Sequence, residues 1–331
     1  MKALVYTAPH TLEMRDAPKP GPAVGEVLVK VEAVGICGSD MHAYHGHDNR
    51  RPPPLILGHE AAGHIVSGPR AGERVTINPL VVDPDCSAAR RGQWHLSPSR
   101  QIISMPPRPG AFAEYVTIPE RNIVALADST AIEHAALAEP IAVAWHAVRL
   151  GVEKLDRPLA ACSVAVLGGG AIGLAAALVA RLFGAGDLAI GETNALRRNS
   201  LADKDGLITY APGGENDPED NSVDLVLDAV GASATRAAAC RMVRPGGVIV
   251  HIGLLPGQEG LDIRKITLQE ITLTGSYCYT SEDFLDTVAA IEAKRLGALQ
   301  WYETRPLSEG AAAFTDIDAG RVASAKIVLM P

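Results

Sequence analysis

Ser163-Val164-Ala165-Val166-Leu167-Gly168-Gly169-Gly170-Ala171-Ile172-Gly173 is the stretch whose reading decides the fold. It lies inside a run of twenty-two uncharged residues, Leu159 to Ala180, bracketed by Arg157 and Arg181. By length alone that run would suffice for a membrane-spanning helix. Three adjacent glycines in its middle argue otherwise, because each weakens a helix interior by about 1 kcal/mol relative to alanine. Ser163 to Leu167 reads instead as a short apolar strand buried on both faces, and Ile172 to Phe183, rich in alanine and leucine, reads as a helix. Strand, glycine turn and helix is the better reading.

Gly168, Gly170 and Gly173 fit the pattern G-x-G-x-x-G and, with Ala171 and Ile172 between them, are candidate cofactor-binding residues. The three glycines would make a tight turn, admit a pyrophosphate to the backbone and let the helix pack closely, with the phosphates at the positive helix N-terminus. The pattern alone is weak. It gains weight from Glu192, nineteen residues beyond Gly173 at the end of the next expected strand, Leu188 to Ile190. An acid there accepts hydrogen bonds from an adenosine ribose and repels a ribose phosphate, which favours NAD over NADP. Arg197 and Arg198 follow and moderate that preference.

Around this unit the chain changes texture. The first 140 residues look mostly β: Val27 to Ala33 alternates with period two, Val75 to Ile77 and Ala113 to Ile118 are short strand candidates, and proline and glycine clusters separate them. A small irregular barrel with long loops is expected. From about Pro140, helical stretches (Pro140 to Leu150, Ile172 to Phe183, Thr235 to Met242) alternate with apolar strands (Val164 to Leu167, Leu188 to Ile190, Val223 to Leu227, Val248 to Ile252), the pattern of a parallel sheet covered on both faces. A helix, Asp283 to Lys294, and a last strand, Lys326 to Met330, follow. At 331 residues two domains are expected.

Composition excludes several partners. A net charge of -8 argues against nucleic acid and anionic membrane, both of which demand a basic surface. A small ligand fits better. Five scattered cysteines are not a disulfide framework, and Met1 to Val5 runs directly into a strand pattern without the features of a signal peptide, so a cytoplasmic location is expected.

A second set of residues suits a metal. Cys37 follows a strand in a glycine turn, Gly58-His59-Glu60 offers an imidazole and a carboxylate, and Glu139-Pro140 offers another carboxylate. A catalytic zinc needs about three protein ligands and one open position. Taken singly these residues read as ordinary: a lone cysteine is usually buried filler, a lone histidine a satisfied polar group, and Glu139 a first-turn helix acid.

Their order changes the reading. Gly35-Ile36-Cys37-Gly38-Ser39-Asp40 with His42, then Gly58-His59-Glu60, Glu139-Pro140, the glycine turn and Glu192 resemble the zinc-dependent medium-chain alcohol dehydrogenases, specifically their sorbitol or polyol (L-idonate-like) dehydrogenase branch. The likeness runs in one register from Met1 to Pro331. It implies an α/β architecture: a GroES-like β-barrel catalytic domain over residues 1–141 completed by 278–331, and a Rossmann doubly wound parallel sheet over 142–277 that binds NAD, with the active site in the cleft. It also implies one catalytic zinc held by Cys37, His59 and an acid, either Glu60 or Glu139. The implied reaction is reversible oxidation of a secondary alcohol or polyol to the ketone, with Ser39 taking the hydroxyl proton and His42 releasing it. A homodimer or homotetramer is implied by analogy.

The pattern also breaks. The family's typical structural zinc uses four cysteines, and the corresponding positions here are Asp83, Cys86, Ala89 and Ser97. Tetrahedral closure fails with one thiolate, so no structural zinc is expected and Val82 to Ser104 should be a poorly anchored loop. Positions where sorbitol dehydrogenases place a tyrosine and an Arg-Tyr pair read Ala43, then Cys278 and Tyr279. His45 and His47 are read as solvated loop residues, and His64 carries no role. Two competing readings are a zinc-free reductase of the same superfamily and a non-catalytic dinucleotide-binding redox sensor.

Overall fold

The computed structural model describes residues 1–202 and 207–331. The chain divides into two compact units: Met1–Pro140 with Thr280–Arg321 and Lys326–Pro331, and Ile141–Tyr279 with Val322–Ala325.

In the second unit six parallel strands, counted among the described residues, lie in the order Ile208–Tyr210, Asp187–Gly191, Ser163–Leu167, Val223–Asp228, Val243–His251, Thr272–Gly275. Numbered along the chain this is 3-2-1-4-5-6, the Rossmann order, with its switch point beside Ser163–Leu167. Val223–Asp228 is buried throughout, as a central parallel strand covered on both faces must be. Ala165, Val226 and Ile249 share one apolar cluster with Ala239 and Met242 of the helix Ser233–Met242. The uncharged run resolves into a 3-10 turn at Leu159–Ala161, the strand Ser163–Leu167 and the helix Ala171–Leu182. Among the described residues no helix is long and apolar enough to cross a membrane.

The first unit is built around the strand Glu26–Gly35, antiparallel to Glu60–Ile65, to Tyr115–Pro119 and to the last strand, Lys326–Met330. Lys326–Met330 also runs parallel to Tyr302–Pro306. The register sets Gly35 opposite Glu60, and Val328 opposite Gly35. Residues close to both chain ends thereby meet on one strand, and this pairing positions the site.

One expectation fails here. Val82 to Ser104 is a folded lobe: Leu80–Val81 pairs with Gln101–Ile102, and Cys86 caps the short helix Ser87–Arg90. The Ala89 amide donates to Cys86 Sγ at 3.3 Å, Cys86 Sγ lies 3.6 Å from Ser97 Oγ, and Ala88, His95, Ser97 and Ser104 are buried. Local hydrogen bonds and buried side chains anchor the segment that the missing cysteines were expected to leave loose.

Candidate active site

Three of the four metal-ligand candidates, Cys37, His59 and Glu60, come together from two segments of the first unit. Cys37 follows the strand Glu26–Gly35 and is the N-cap of the helix Gly38–Tyr44, where the Ser39 amide donates to its sulfur at 3.5 Å. Glu60 opens the strand Glu60–Ile65, with His59 immediately before it. One ligand atom from each of Cys37, His59 and Glu60 falls within 4.8 Å of the other two. Glu139 is outside that donor group; it is buried in the first turn of the helix Ala138–Val152.

The donor set fits a zinc ion on observations of its own. Glu60 Oε2 is buried without a hydrogen-bond partner, a costly state that a cation relieves. The space around it is kept by Gly35, where an added Cβ would stand 2.0 Å from Oε2. His59 Nδ1 lies 3.5 Å from Asp40 Oδ1, an ion-pair distance rather than a well-formed hydrogen bond, and this orients the ring. A carboxylate behind a metal-binding imidazole fixes its tautomer. Burial pushes the His59 pKa down, but the facing charges of Asp40 and Cys37 outweigh it and hold it well above the ordinary value.

Two residues that sequence reading missed complete the arrangement. Asp40, fully buried, accepts from the Cys37 amide at 3.0 Å and the Gly58 amide at 3.4 Å, tying the two ligand segments together. Burial raises its pKa, but His59, Arg51 and the Cys37 amide together outweigh this, so the net shift is downward. Its place in a capping box, three residues after Cys37, is the signal that could have found it. Lys326 is buried and donates from Nζ to Glu60 Oε1 at 2.7 Å and to the Ile36 carbonyl at 2.8 Å. Burial lowers its pKa, but Glu60 first, then Cys37 and Glu139, raise it above the usual value. Nothing in its sequence context signals this.

Ser39 and His42 lie on the Gly38–Tyr44 helix. The buried Arg51 donates to Ser39 Oγ at 3.3 Å and to Asp48 Oδ2 at 2.6 Å. Burial lowers the His42 pKa, opposed by Asp48 and assisted by His45, Arg51 and His47.

In the second unit the glycine turn sits at the carboxyl end of its strand. Gly168 has φ 97°, and an added Cβ would strike Val230, while one on Gly173 would lie 1.8 Å from the Gly168 carbonyl oxygen. Gly170, the N-cap of the Ala171–Leu182 helix, faces open space, which suits approach of a pyrophosphate. Glu192 ends up beside it, buried, accepting from the Gly169 amide at 2.9 Å and the Asn194 amide at 2.7 Å. Arg197 stands 3.4 Å from the same carboxylate and Arg198 bonds the Glu192 carbonyl. Ala171 and Ile172 form the helix's first turn. Phe112 and Trp145 are core residues: Phe112 is fully buried and Trp145 packs edge-on against Phe183.

A thiolate, imidazole and carboxylate group in a chain that also carries a Rossmann sheet defines a class, the metal-dependent enzymes that work with a dinucleotide. Residues 23–128 match the family described as alcohol dehydrogenase GroES-like domain, and residues 171–293 that described as zinc-binding dehydrogenase. L-threonine 3-dehydrogenase of Pyrococcus furiosus is 33% identical over 288 residues, covering 81% of this chain and 80% of that protein. Sorbitol dehydrogenase of Bacillus subtilis is 33% identical over 300 residues, covering 85% and 83%. The crystal structure of galactitol-1-phosphate dehydrogenase from Escherichia coli superposes with a TM-score of 0.87 at 25% identity, covering 100% of both chains. The chain belongs to the zinc-dependent medium-chain alcohol and polyol dehydrogenase family. It is a dehydrogenase acting on CH–OH groups, with a GroES-like domain and a Rossmann domain.

Proposed function

We propose that the protein oxidises a secondary alcohol or polyol to its ketone, using one zinc ion held by Cys37, His59 and Glu60 and preferring NAD to NADP. The observation that carries this is the convergence of those three side chains with the buried, unpartnered Glu60 Oε2. When bound, zinc supplies a Lewis acid for the alcohol oxygen and NAD accepts the hydride. The first unit acts as the catalytic domain and the second as the NAD-binding domain.

The chain's own residues then have separable tasks. Lys326 holds one Glu60 oxygen and leaves the other for the ion, while Asp40 aims His59. Glu139, outside the donor group, adds negative charge that helps keep Lys326 protonated. Arg51 donates to Ser39 Oγ and occupies one of its lone pairs, so the other can receive the substrate proton as the Ser39 proton passes on. The downward shift of His42 keeps it neutral near pH 7, ready to take that proton and release it to water. The Glu192 carboxylate, already fixed by two amides, supports a ribose with free hydroxyls and disfavours a phosphorylated one, with Arg197 softening the preference.

A cytoplasmic homodimer or homotetramer completes the proposal. Its support is the edge strand Thr272–Gly275 with exposed apolar residues Leu254, Ile263, Leu268 and Leu273 around it in sequence. The deciding experiment measures zinc content and NADH formation across polyols, sugar acids and secondary alcohols, with Cys37→Ala as control. One zinc per chain and turnover abolished by Cys37→Ala are expected; a zinc-replete preparation without zinc, or without turnover on the whole panel, overturns the proposal.

A further inference from the structure

Outside the active site, the first unit brings together a second group of metal-binding side chains. His10, His45 and Asp318 each offer a ligand atom within 4.8 Å of the other two. They come from three places: the tight turn joining Lys2–Ala8 to Thr11–Asp16, the C-cap of the Gly38–Tyr44 helix, and the last residue of the helix Gly310–Asp318. His45, expected to be a solvated loop residue, instead has Nε2 2.7 Å from Asp318 Oδ1.

We propose that His10, His45 and Asp318 form an exchangeable binding site for a divalent first-row cation, separate from the catalytic zinc. Two imidazoles and a carboxylate without a thiolate suit borderline cations such as Zn²⁺, Ni²⁺ and Cu²⁺. Ligands at about 2.0–2.2 Å from such an ion stand about 3.3 Å apart in tetrahedral geometry. To reach that spacing the 2.7 Å His45–Asp318 contact widens, and the His10 atom, within 4.8 Å of both, moves in by up to about 1.5 Å.

The scaffold holds these groups in place without an ion. His10 adopts φ 60°, a conformation rarer for histidine than for glycine, and its amide donates to the Tyr44 carbonyl at 2.7 Å. Its ring meets the Tyr44 ring edge-on at 4.9 Å and stands 5.3 Å from the His45 ring. Tyr44 is buried against Phe314, which belongs to the same helix as Asp318. One aromatic pair therefore anchors all three contributors. The C-terminal end of the Gly310–Asp318 helix adds partial negative charge favourable to a cation. His10 is exposed and the His45 and Asp318 side chains are 30% and 41% exposed, so ions can enter from solvent and leave again.

The test is titration of the zinc-loaded full-length enzyme with Ni²⁺, following heat and measuring both metals after gel filtration. One Ni²⁺ per chain is expected in addition to retained zinc. His10→Gln and Asp318→Asn should each weaken it by at least about tenfold. His64→Gln removes a histidine of another histidine–carboxylate pair, that with Glu32, and should leave Ni²⁺ binding unchanged. Thermal melts confirm that the variants fold. Absence of the Ni²⁺ equivalent in the wild type, full retention in both site variants, or uptake only by displacement of zinc overturns the proposal.

Discussion

Lys326 Nζ and Glu60 Oε1 lie 2.7 Å apart with both side chains almost wholly buried, joining the last strand of the chain to the candidate metal site across 266 residues of sequence. One oxygen of this enclosed carboxylate faces an ammonium, and the other, without a hydrogen-bond partner, belongs to the donor group with Cys37 and His59.

Removing the ammonium isolates the charge. Lys326→Met, close in shape, should destabilise the zinc-free protein by about 3–5 kcal/mol, the cost of breaking a buried pair. Zinc should restore part of that loss, because it supplies Glu60 with another positive partner. Urea unfolding with and without zinc measures both; equal stability of variant and wild type in the zinc-free form would show that the pair is not what holds Glu60.

Asp40→Asn should keep the fold and weaken zinc by about 10–100-fold, the usual effect of losing a carboxylate behind a metal-bound histidine. Competition with a chromophoric chelator reads this directly. An unchanged zinc affinity would remove Asp40 from its orienting role.

Glu192→Ala should weaken NAD by about tenfold to a hundredfold, the range for hydrogen bonds to a charged group. NADP, which gains from the lost repulsion, should weaken less or bind better. Equal losses for the two, by fluorescence titration, would refute the ribose assignment.

Asp48 gives a pH dependence with a definite sign. Burial raises its pKa, but hydrogen bonds from Arg50 and the charges of Arg50 and Arg51 outweigh this and bring it to about 2. A depressed pKa contributes stability above the ordinary value of about 4, and that contribution is lost as pH falls toward the folded-state value. Asp48→Asn should thus be less stable than wild type at pH 5, with the gap closing between about pH 4 and about pH 2. Denaturant midpoints across that range would contradict the assignment if the gap stayed constant.

Much of this protein was readable from local pattern. Ser163 to Gly173 carries its strand, turn and helix in apolar runs and adjacent glycines, and the helices at Ala138–Val152 and Ser233–Met242 follow from alanine-rich composition. The Val82 to Ser104 lobe was misjudged because counting absent thiolates ignores other anchors. Arg121 donates to the Val82 carbonyl at 3.0 Å and the Asn122 side chain to the Leu80 carbonyl at 2.6 Å.

The sequence by itself determined which chemistries the chain can hold: a thiol, an imidazole and carboxylates in a set order, and a glycine turn followed by an acid. Spacing and residue type are local properties, and so is the backbone freedom of glycine. The tertiary structure alone decided that Glu60 rather than Glu139 joins Cys37 and His59 in one donor group, that Lys326 and Asp40 stand behind it, and that His10 and His45 meet Asp318. Whether a buried charge is tolerable depends on partners brought close by strand pairing and helix packing, and those partners lie up to 266 residues apart in the chain.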